Sequence, residues 1–294
     1  MPTGLIVALI ALLGLAFGSF LNVCIARLPR HESIVRPRSR CPRCGVTIGA
    51  RDNIPLLNWI LLRGKCRACA WRIPWRYPAV EAAMAALWVL CYLRFGLTIF
   101  SAGMAVLCFL LLGLAVMDAE TMRLPDALTW PGIAAGVVWS GLEIGAEGKL
   151  SDALLLWPGS TSRIALHGGF IVTSKYPPLL VGMVASALWA LVGALLILAI
   201  RWLYRLLRHR EGMGIGDAKL LAMIAAWLGP MITLLTLFLG VVGAALVGVL
   251  WTVIRGRRGA MTMRLPFGAF LCAAALYAIF AGAPILAWYL KFFS

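Results

Sequence analysis

Residues 218–254 read AKLLAMIAAWLGPMITLLTLFLGVVGAALVGVLWTVI, a 37-residue run broken only at Gly229-Pro230. As one straight helix it would extend about 55 Å at ~1.5 Å per residue, too long for one crossing of a hydrocarbon core about 30 Å thick. Arg201, Arg205, Arg208, Arg210 and Lys219 flank its start, and Arg255, Arg257, Arg258 and Arg264 follow its end. Lys and Arg collect in cytoplasmic loops, so both ends belong on one side. The run therefore predicts a hairpin of two short helices.

The other apolar runs fall near residues 3–26, 79–95, 99–117, 127–145, 179–204 and 267–290. With the hairpin they make eight crossings. On that topology 22 basic residues face the cytoplasm and five (Arg94, Lys149, Arg163, Lys175, Lys291) face outward. The first run carries no charge and ends at Arg27, the reverse of a signal peptide, whose positive charge precedes its apolar stretch. A retained helix with its N-terminus outside is expected.

Composition points the same way. The chain is 62% hydrophobic and 13% charged, against about 45–50% and about 25% in an average soluble domain. This excludes an ordinary soluble protein, a disordered chain and a secreted disulfide scaffold. The net charge of +16 does not mark a nucleic-acid surface, because 12 of the 27 basic residues lie between Arg27 and Arg76 and most others sit at the ends of apolar runs. No nucleic-acid partner is expected, and contact with lipid headgroups is. The predicted fold is an all-α polytopic membrane protein of about eight helices with a small cytoplasmic zinc-binding loop domain. Its expected parts are a first crossing (1–26), a four-cysteine domain (27–78), and a membrane-embedded domain (79–294) with an external loop at 146–178. That loop carries no readable motif, and its His167 reads as a surface residue.

Four of the eight cysteines form Cys41-Pro42-Arg43-Cys44 and Cys66-Arg67-Ala68-Cys69. Two C-x2-C knuckles 21 residues apart are close to zinc-ribbon spacing, and four thiolates close a tetrahedron around Zn²⁺. A loop this short gains little from apolar burial, and metal binding could supply its stability. Disulfides or free thiols are the alternative, and a reducing cytoplasm disfavours the first. A closed four-cysteine site is structural, since it leaves no open position for catalysis. Cys24, Cys91, Cys108 and Cys272 lie in apolar runs and read as small buried hydrophobes.

The acids are scarce, and a carboxylate at a membrane helix is a functional candidate by default. Asp118 ends the run closing Leu114-Ala115-Val116-Met117, and Asp217 follows Gly212-Met213-Gly214-Ile215-Gly216. Both fall at the cytoplasmic edge, on different helices. Two carboxyls sharing one proton can activate water and polarise a carbonyl, the aspartic-protease arrangement. Competing readings exist: Asp217 as a helix cap, Glu120 as a solvated turn residue, and Asp126, between Pro125 and Ala127, as the N-cap of the next helix. Three glycines before Asp217 leave the backbone open to close approach by a peptide.

Several segments together resemble the bacterial type IV prepilin peptidases, leader peptidase/N-methyltransferases of the GxGD aspartic class. They are GSFLNVCIARLP (18–29), the two cysteine knuckles, DNIPLLNWILLRGKC (52–66), RYPAVE (76–81), MDAETMRLPDALTWP (117–131), GMGIGDAKLLAMIAAWLG (212–229) and LPFGAF (265–270). They occur in the family order and cover nearly all of the chain but the external loop. The resemblance implies an inner-membrane enzyme that cuts the basic leader from type IV prepilins or type II secretion pseudopilins after a Gly. It would then methylate the new N-terminus with S-adenosylmethionine. The catalytic pair maps onto Asp118 and Asp217, and the family cysteines map onto Cys41, Cys44, Cys66 and Cys69.

By the same resemblance, Glu81 and Asp52 are candidates for the methyltransferase half. The chain has no strand-following GxGxxG to mark a Rossmann cofactor site. Glu81 has a second reading, as an acid suited to the dipole of a first helical turn after Pro78. The chain departs from the family in its long external loop and in Ala269, where the family commonly has Pro. Neither departure is expected to touch the dyad, and both bear on substrate range. The alternatives are a leader peptidase without methyltransferase activity, a peptidase for preflagellin-like leaders, a proton-coupled transporter, and a membrane-tethered nucleic-acid binder. The zinc-bearing loop speaks against preflagellin-like leaders. A transporter needs acids near the midplane, and a nucleic-acid binder needs more interleaved aromatics than Trp59, Trp71, Trp75 and Tyr77.

Overall fold

The computed structural model describes residues 3–147, 177–209, 214–260 and 265–292. Most of the 146–178 loop, His167 and Glu211 lie outside the described residues. The chain divides into two compact units, Met1–Val116 and Met117–Ser294.

The first unit holds α1 (Thr3–Arg27), the short α2 (Leu57–Leu61), α3 (Arg76–Phe95) and most of α4 (Ile99–Thr121). Helices α1 and α3 pack closely along their length. Gly14 and Gly18 make this possible. A Cβ on Gly14 would stand 2.6 Å from the Ala85 Cα, and one on Gly18 would stand 2.7 Å from the Glu81 Cα. Small residues four apart let two membrane helices bring their backbones together, which is where helix association in lipid gains its van der Waals contact. The Trp88 indole donates to the Ala105 carbonyl at 3.0 Å and ties α3 to α4.

The second unit holds the end of α4, then α5 (Asp126–Glu147), α6 (Pro178–Arg208), α7 (Ile215–Ala260) and α8 (Phe267–Leu290). The 218–254 run falls within one continuous helical element, not two separated by a loop. The backbone nevertheless folds back at Gly229, whose φ of 68° is left-handed and which precedes Pro230. The neighbours of α8 require the reversal. In a straight helix Gly216 and Gly248 would be about 48 Å apart. Yet Leu124 lies against both Gly216 and Gly268, while Gly248 lies against Leu265, three residues before Gly268. Only a fold-back brings both ends of α7 to the start of α8.

The two limbs of α7 differ in surroundings. From Leu220 to Leu228 every side chain is buried, as expected for a helix apolar on all faces. Helices α5, α6 and α8 pack on α7. Trp227 donates its indole N–H to the Gly132 carbonyl at 2.8 Å, and the Ser186 hydroxyl donates to the Ala226 carbonyl at 2.8 Å. The second limb exposes Phe238, Leu246, Val249, Leu250 and Val253, an apolar surface suited to lipid.

Six of the described helices (α1, α3, α4, α6, α7 and α8) are long and apolar enough to cross a membrane. The expected eight is reached only by counting both limbs of α7 and adding α5, which is not among the six.

Candidate active site, metal centre and cavity

The four cysteines converge. The Sγ atoms of Cys41, Cys44, Cys66 and Cys69 all lie within 4.8 Å of one another, with Cys41 and Cys69 3.8 Å apart. A tetrahedron with Zn–S bonds of about 2.3 Å has edges of about 3.8 Å, so the donor set fits a zinc ion. The two knuckles repeat one local design. Gly45 N–H donates to the Cys41 carbonyl and Cys41 N–H to the Val46 carbonyl, each at 2.9 Å. Ala70 to Cys66 (2.9 Å) and Cys66 to Trp71 (2.8 Å) repeat the pattern. Gly45 (φ 70°) and Ala70 (φ 55°) occupy the same left-handed position. The Cys44 amide pulls the Cys41 thiol down to about 6. Cys69 is pushed up to about 11: the Trp71 amide lowers it, but burial and the neighbouring sulfurs outweigh that. One thiolate thus opposes the next, and a divalent cation removes that conflict.

Beside this centre lies a cavity of about 540 Å³, within the range of small-molecule sites. Both Glu81 and Asp52 line it, so the structure brings these two sequence candidates to one place. Buried Glu81 accepts the Leu56 amide on Oε2 at 2.8 Å and a bond from the Ser19 hydroxyl. Leu56 adopts a φ of 57°, a strained conformation for a non-glycine residue. Its amide bond to Glu81 offsets that cost. Asp52 is held differently. Arg67 grips it with Nη2 to Oδ1 at 2.7 Å and with Nε at 3.1 Å from each oxygen, and this holds its carboxyl below the usual range. Asn22, quoted above only as part of a motif, also lines the cavity and is buried.

In the second unit, Asp118 and Asp217 come together although 99 positions separate them. Both are buried. Asp118 lies in the last turn of α4. Its Oδ2 accepts the Ala269 amide at 2.8 Å, and the Gly268 amide also reaches the carboxylate. A Cβ on Gly268 would stand 2.9 Å from that Oδ2, so a side chain there would displace the carboxylate. Asp217 lies in the first turn of α7 and accepts the Gly214 amide on Oδ2 at 3.1 Å. That is the back-bond of a capping box, so Asp217 caps the start of α7 as the competing reading expected. Leu124 bridges the two halves, in contact with Gly216 beside Asp217 and with Gly268 beside Asp118. The two carboxyls lie within electrostatic range of each other. Each has Oδ2 tied to a backbone amide.

Two expectations need correction. Asp126 opens α5, but its carboxylate meets Lys219 Nζ at 2.6 Å, while the Leu128 and Thr129 amides turn to the Pro125 carbonyl. Asp126 thus ties the start of α5 to α7, and Pro125 occupies the cap position, because a lysine one turn into α7 competes for the carboxylate. Ala269, expected to leave the dyad alone, donates directly to Asp118. Glu120 is exposed, but it lies in the last turn of α4 and not in the turn that follows.

A helical membrane protein with two buried carboxyls gathered from separate helix ends has the makings of an aspartic peptidase. Comparison with known proteins agrees. Residues 12–95 match the family model of the bacterial peptidase A24 N-terminal domain, and residues 105–249 match that of the type IV leader peptidase family. The prepilin leader peptidase/N-methyltransferase of Stutzerimonas stutzeri is 34% identical, covering 95% of this chain and 92% of its own. The proteins of the same name from Pseudomonas putida and Pseudomonas aeruginosa are each 33% identical, covering 96% of this chain and 92% of theirs. No solved structure matches. The chain belongs to the type IV leader peptidase family.

Proposed function

We propose that this chain removes the leader peptide of type IV prepilins and type II secretion pseudopilins and then methylates the exposed amine. It does so as a multi-pass protein of the bacterial inner membrane, with eight crossings, its N-terminus outside and its dyad at the cytoplasmic face. The observation that carries the peptidase reading is the convergence of Asp118 and Asp217 with one oxygen of each fixed by backbone amides. Fixed carboxylates are pre-aimed, so little reorganisation is needed at the moment of reaction. One carboxyl of the pair is ionised and takes a proton from water. The other keeps its proton and donates it to the scissile carbonyl. The water oxygen bonds to the carbonyl carbon, and the C–N bond then breaks as the leaving amine collects a proton.

Cys41, Cys44, Cys66 and Cys69 would hold zinc, which would be structural because the four thiolates leave no open position. S-adenosylmethionine, when bound, supplies an electrophilic methyl group on a cationic sulfur. Glu81 and Asp52 give its cavity two carboxylates that complement a cation, and Trp59 and Trp71, which also line it, offer faces for a planar ring. The names of the relatives support both activities. The basic residues between Arg27 and Arg76 favour anionic headgroups and keep the loop at the membrane.

The test is a pair of assays on purified protein in detergent. Asp118→Asn and Asp217→Asn should each lose cleavage of a prepilin while still methylating a leader-free peptide. Asp126→Asn, which removes one partner of a partly exposed ion pair, should retain most cleavage. Wild-type cleavage by either dyad variant would sink the peptidase mechanism.

A further inference from the structure

We propose that α2 is an interfacial anchor, its Leu57, Ile60 and Leu61 seated at the headgroup–acyl boundary of an anionic phospholipid bilayer. The five residues Leu57-Asn58-Trp59-Ile60-Leu61 include one polar side chain, and the fold turns it inward. Asn58 is buried and gives its amide nitrogen to the Arg51 carbonyl. Trp59 lies against Gly64 and donates its indole N–H to the Ile73 carbonyl at 3.3 Å. Leu57, Ile60 and Leu61, at i, i+3 and i+4, share the other face. They are 49%, 63% and 67% exposed. Asn58, Trp59 and Leu62 line the 540 Å³ cavity, and the three exposed residues do not. The segment thus has one side on the cavity and one apolar side turned away from it. A contiguous apolar surface of this kind marks a contact with a membrane or a partner.

Depth and charge decide which. Leu56, just before α2, donates its amide to Glu81 at 2.8 Å. Glu81 stands five residues, about 7 Å, into the candidate span that opens at Arg76. A helical side chain leans toward the N-terminus of its helix, which sets Leu56 level with the first turn of α3. The Trp59–Ile73 bond holds the middle of α2 level with the residues just ahead of α3. At 20 residues α3 is about 30 Å long, enough to span the hydrocarbon and no more. Its first turn therefore marks the lipid boundary, and α2 lies there. Trp75, next before α3 and 76% exposed, stands where interface aromatics collect. From Arg27 to Arg76 the chain holds twelve Lys and Arg and two acids, Glu32 and Asp52, of which Asp52 is paired with Arg67. Exposed Arg51, Arg63 and Lys65 flank α2 in sequence. Such a field repels a basic leader peptide and a second copy of the same loop. It attracts anionic headgroups, among which Arg and Lys snorkel while their apolar neighbours sit deeper.

This proposal rests on α3 crossing the bilayer, and its test separates the two. The photoreactive residue p-benzoylphenylalanine replaces Ile60 in one full-length variant and Leu90, an exposed position well inside α3, in another. Both are placed in vesicles of phosphatidylethanolamine and phosphatidylglycerol, irradiated, and weighed intact by mass spectrometry. Unfolding temperatures matching wild type show that the variants are folded, and the same replacement at Leu61 gives a second reading of that face. Positions 60, 61 and 90 should each gain the mass of one phospholipid. At 60 and 61 phosphatidylglycerol should be enriched about twofold or more over its share of the vesicle, as a basic surround requires. The same replacement at Trp59, on the cavity side, should give little lipid adduct. Lipid at 90 with none at 60 or 61, a cross-linked second chain at 60, equal labelling at 59 and 60, or no enrichment of the anionic lipid would each overturn the proposal. Absence of lipid at all of these positions would remove α3 from the bilayer, and the anchor with it.

Discussion

The amide of Ala269 donates to Oδ2 of Asp118 over 2.8 Å, joining positions 151 residues apart. It sets the start of α8 directly against the end of α4. A proline at 269 is sterically acceptable in a first helical turn but has no N–H to give. Ala269→Pro should therefore leave the fold intact and lower leader cleavage by about three- to tenfold, a partial loss because the Gly268 amide still reaches the carboxylate. Ala269→Gly keeps the N–H and should cleave at close to the wild-type rate. Equal kinetics for the Pro and Gly variants would show that this hydrogen bond does not position Asp118.

The two cysteine knuckles differ at one equivalent position, and the difference is measurable. Ala70 holds the left-handed conformation that Gly45 holds in the other knuckle. An alanine there costs about 1 kcal/mol relative to glycine. Ala70→Gly should stabilise the loop, and Gly45→Ala should weaken it by a similar amount. Retention of zinc during competition with a chelator reports both. Wild type should carry about one zinc per chain, and Cys66→Ser should lower that content. A metal-free wild-type protein after gentle purification would remove zinc from the account.

Much of this architecture is legible in residue order, for reasons that end where tertiary geometry begins. The 218–254 run was too long for one crossing and had basic residues at both ends, and the fold-back at Gly229 follows from those two facts. The cysteine spacing likewise gave the cluster, because C-x2-C pairs converge locally. The cap reading of Asp126 fails because capping is a local rule, and its competitor Lys219 is 93 residues away. Ala269 gives no local signal for the same reason: its bond to Asp118 exists only once α8 has packed. Asn22 carried no signal of its own. An asparagine in an apolar run announces a polar tie, and only the structure shows its partner, the Tyr77 carbonyl.

Asp52 borders the cavity and should keep its charge well into acid. The Arg67 fork lowers the Asp52 carboxyl from its usual range. A group whose folded pKa is depressed contributes stability above its unfolded value, about 3.9, and loses it as pH falls through the folded value. The Asp52–Arg67 pair should thus stay intact from pH 8 down to about 4, so no change in methyl-transfer rate between pH 5 and 8 should trace to it. Arg67→Gln should move the Asp52 titration, read from the carboxyl carbon by NMR, upward toward the unperturbed value. No upward movement would mean that the Arg67 contact is not what holds Asp52 down.

The contact between α1 and α3 should govern methylation more than cleavage. Gly18 has no room for a side chain, since its Cβ would stand 2.7 Å from the Glu81 Cα and 3.1 Å from the Met84 Cβ. Backbone cannot yield as a flexible side chain does, so Gly18→Val must push α3 away from α1. The displacement falls on the residue that carries Glu81 and on the stretch that places Ser19 and Asn22, all of them cavity-lining. Gly14→Val strains the same interface one turn earlier, against Ala85, away from the cavity wall. Gly18→Val should therefore lose at least tenfold more methylation than Gly14→Val at matched unfolding temperature. Leader cleavage, which we assign to Asp118 and Asp217 in the other unit, should fall by similar and smaller amounts in both variants. Parallel losses of methylation in the two would mean that the glycines only hold the helices together. A loss confined to Gly18→Val would place the wall formed by Ser19, Asn22 and Glu81 in the methyl-transfer site.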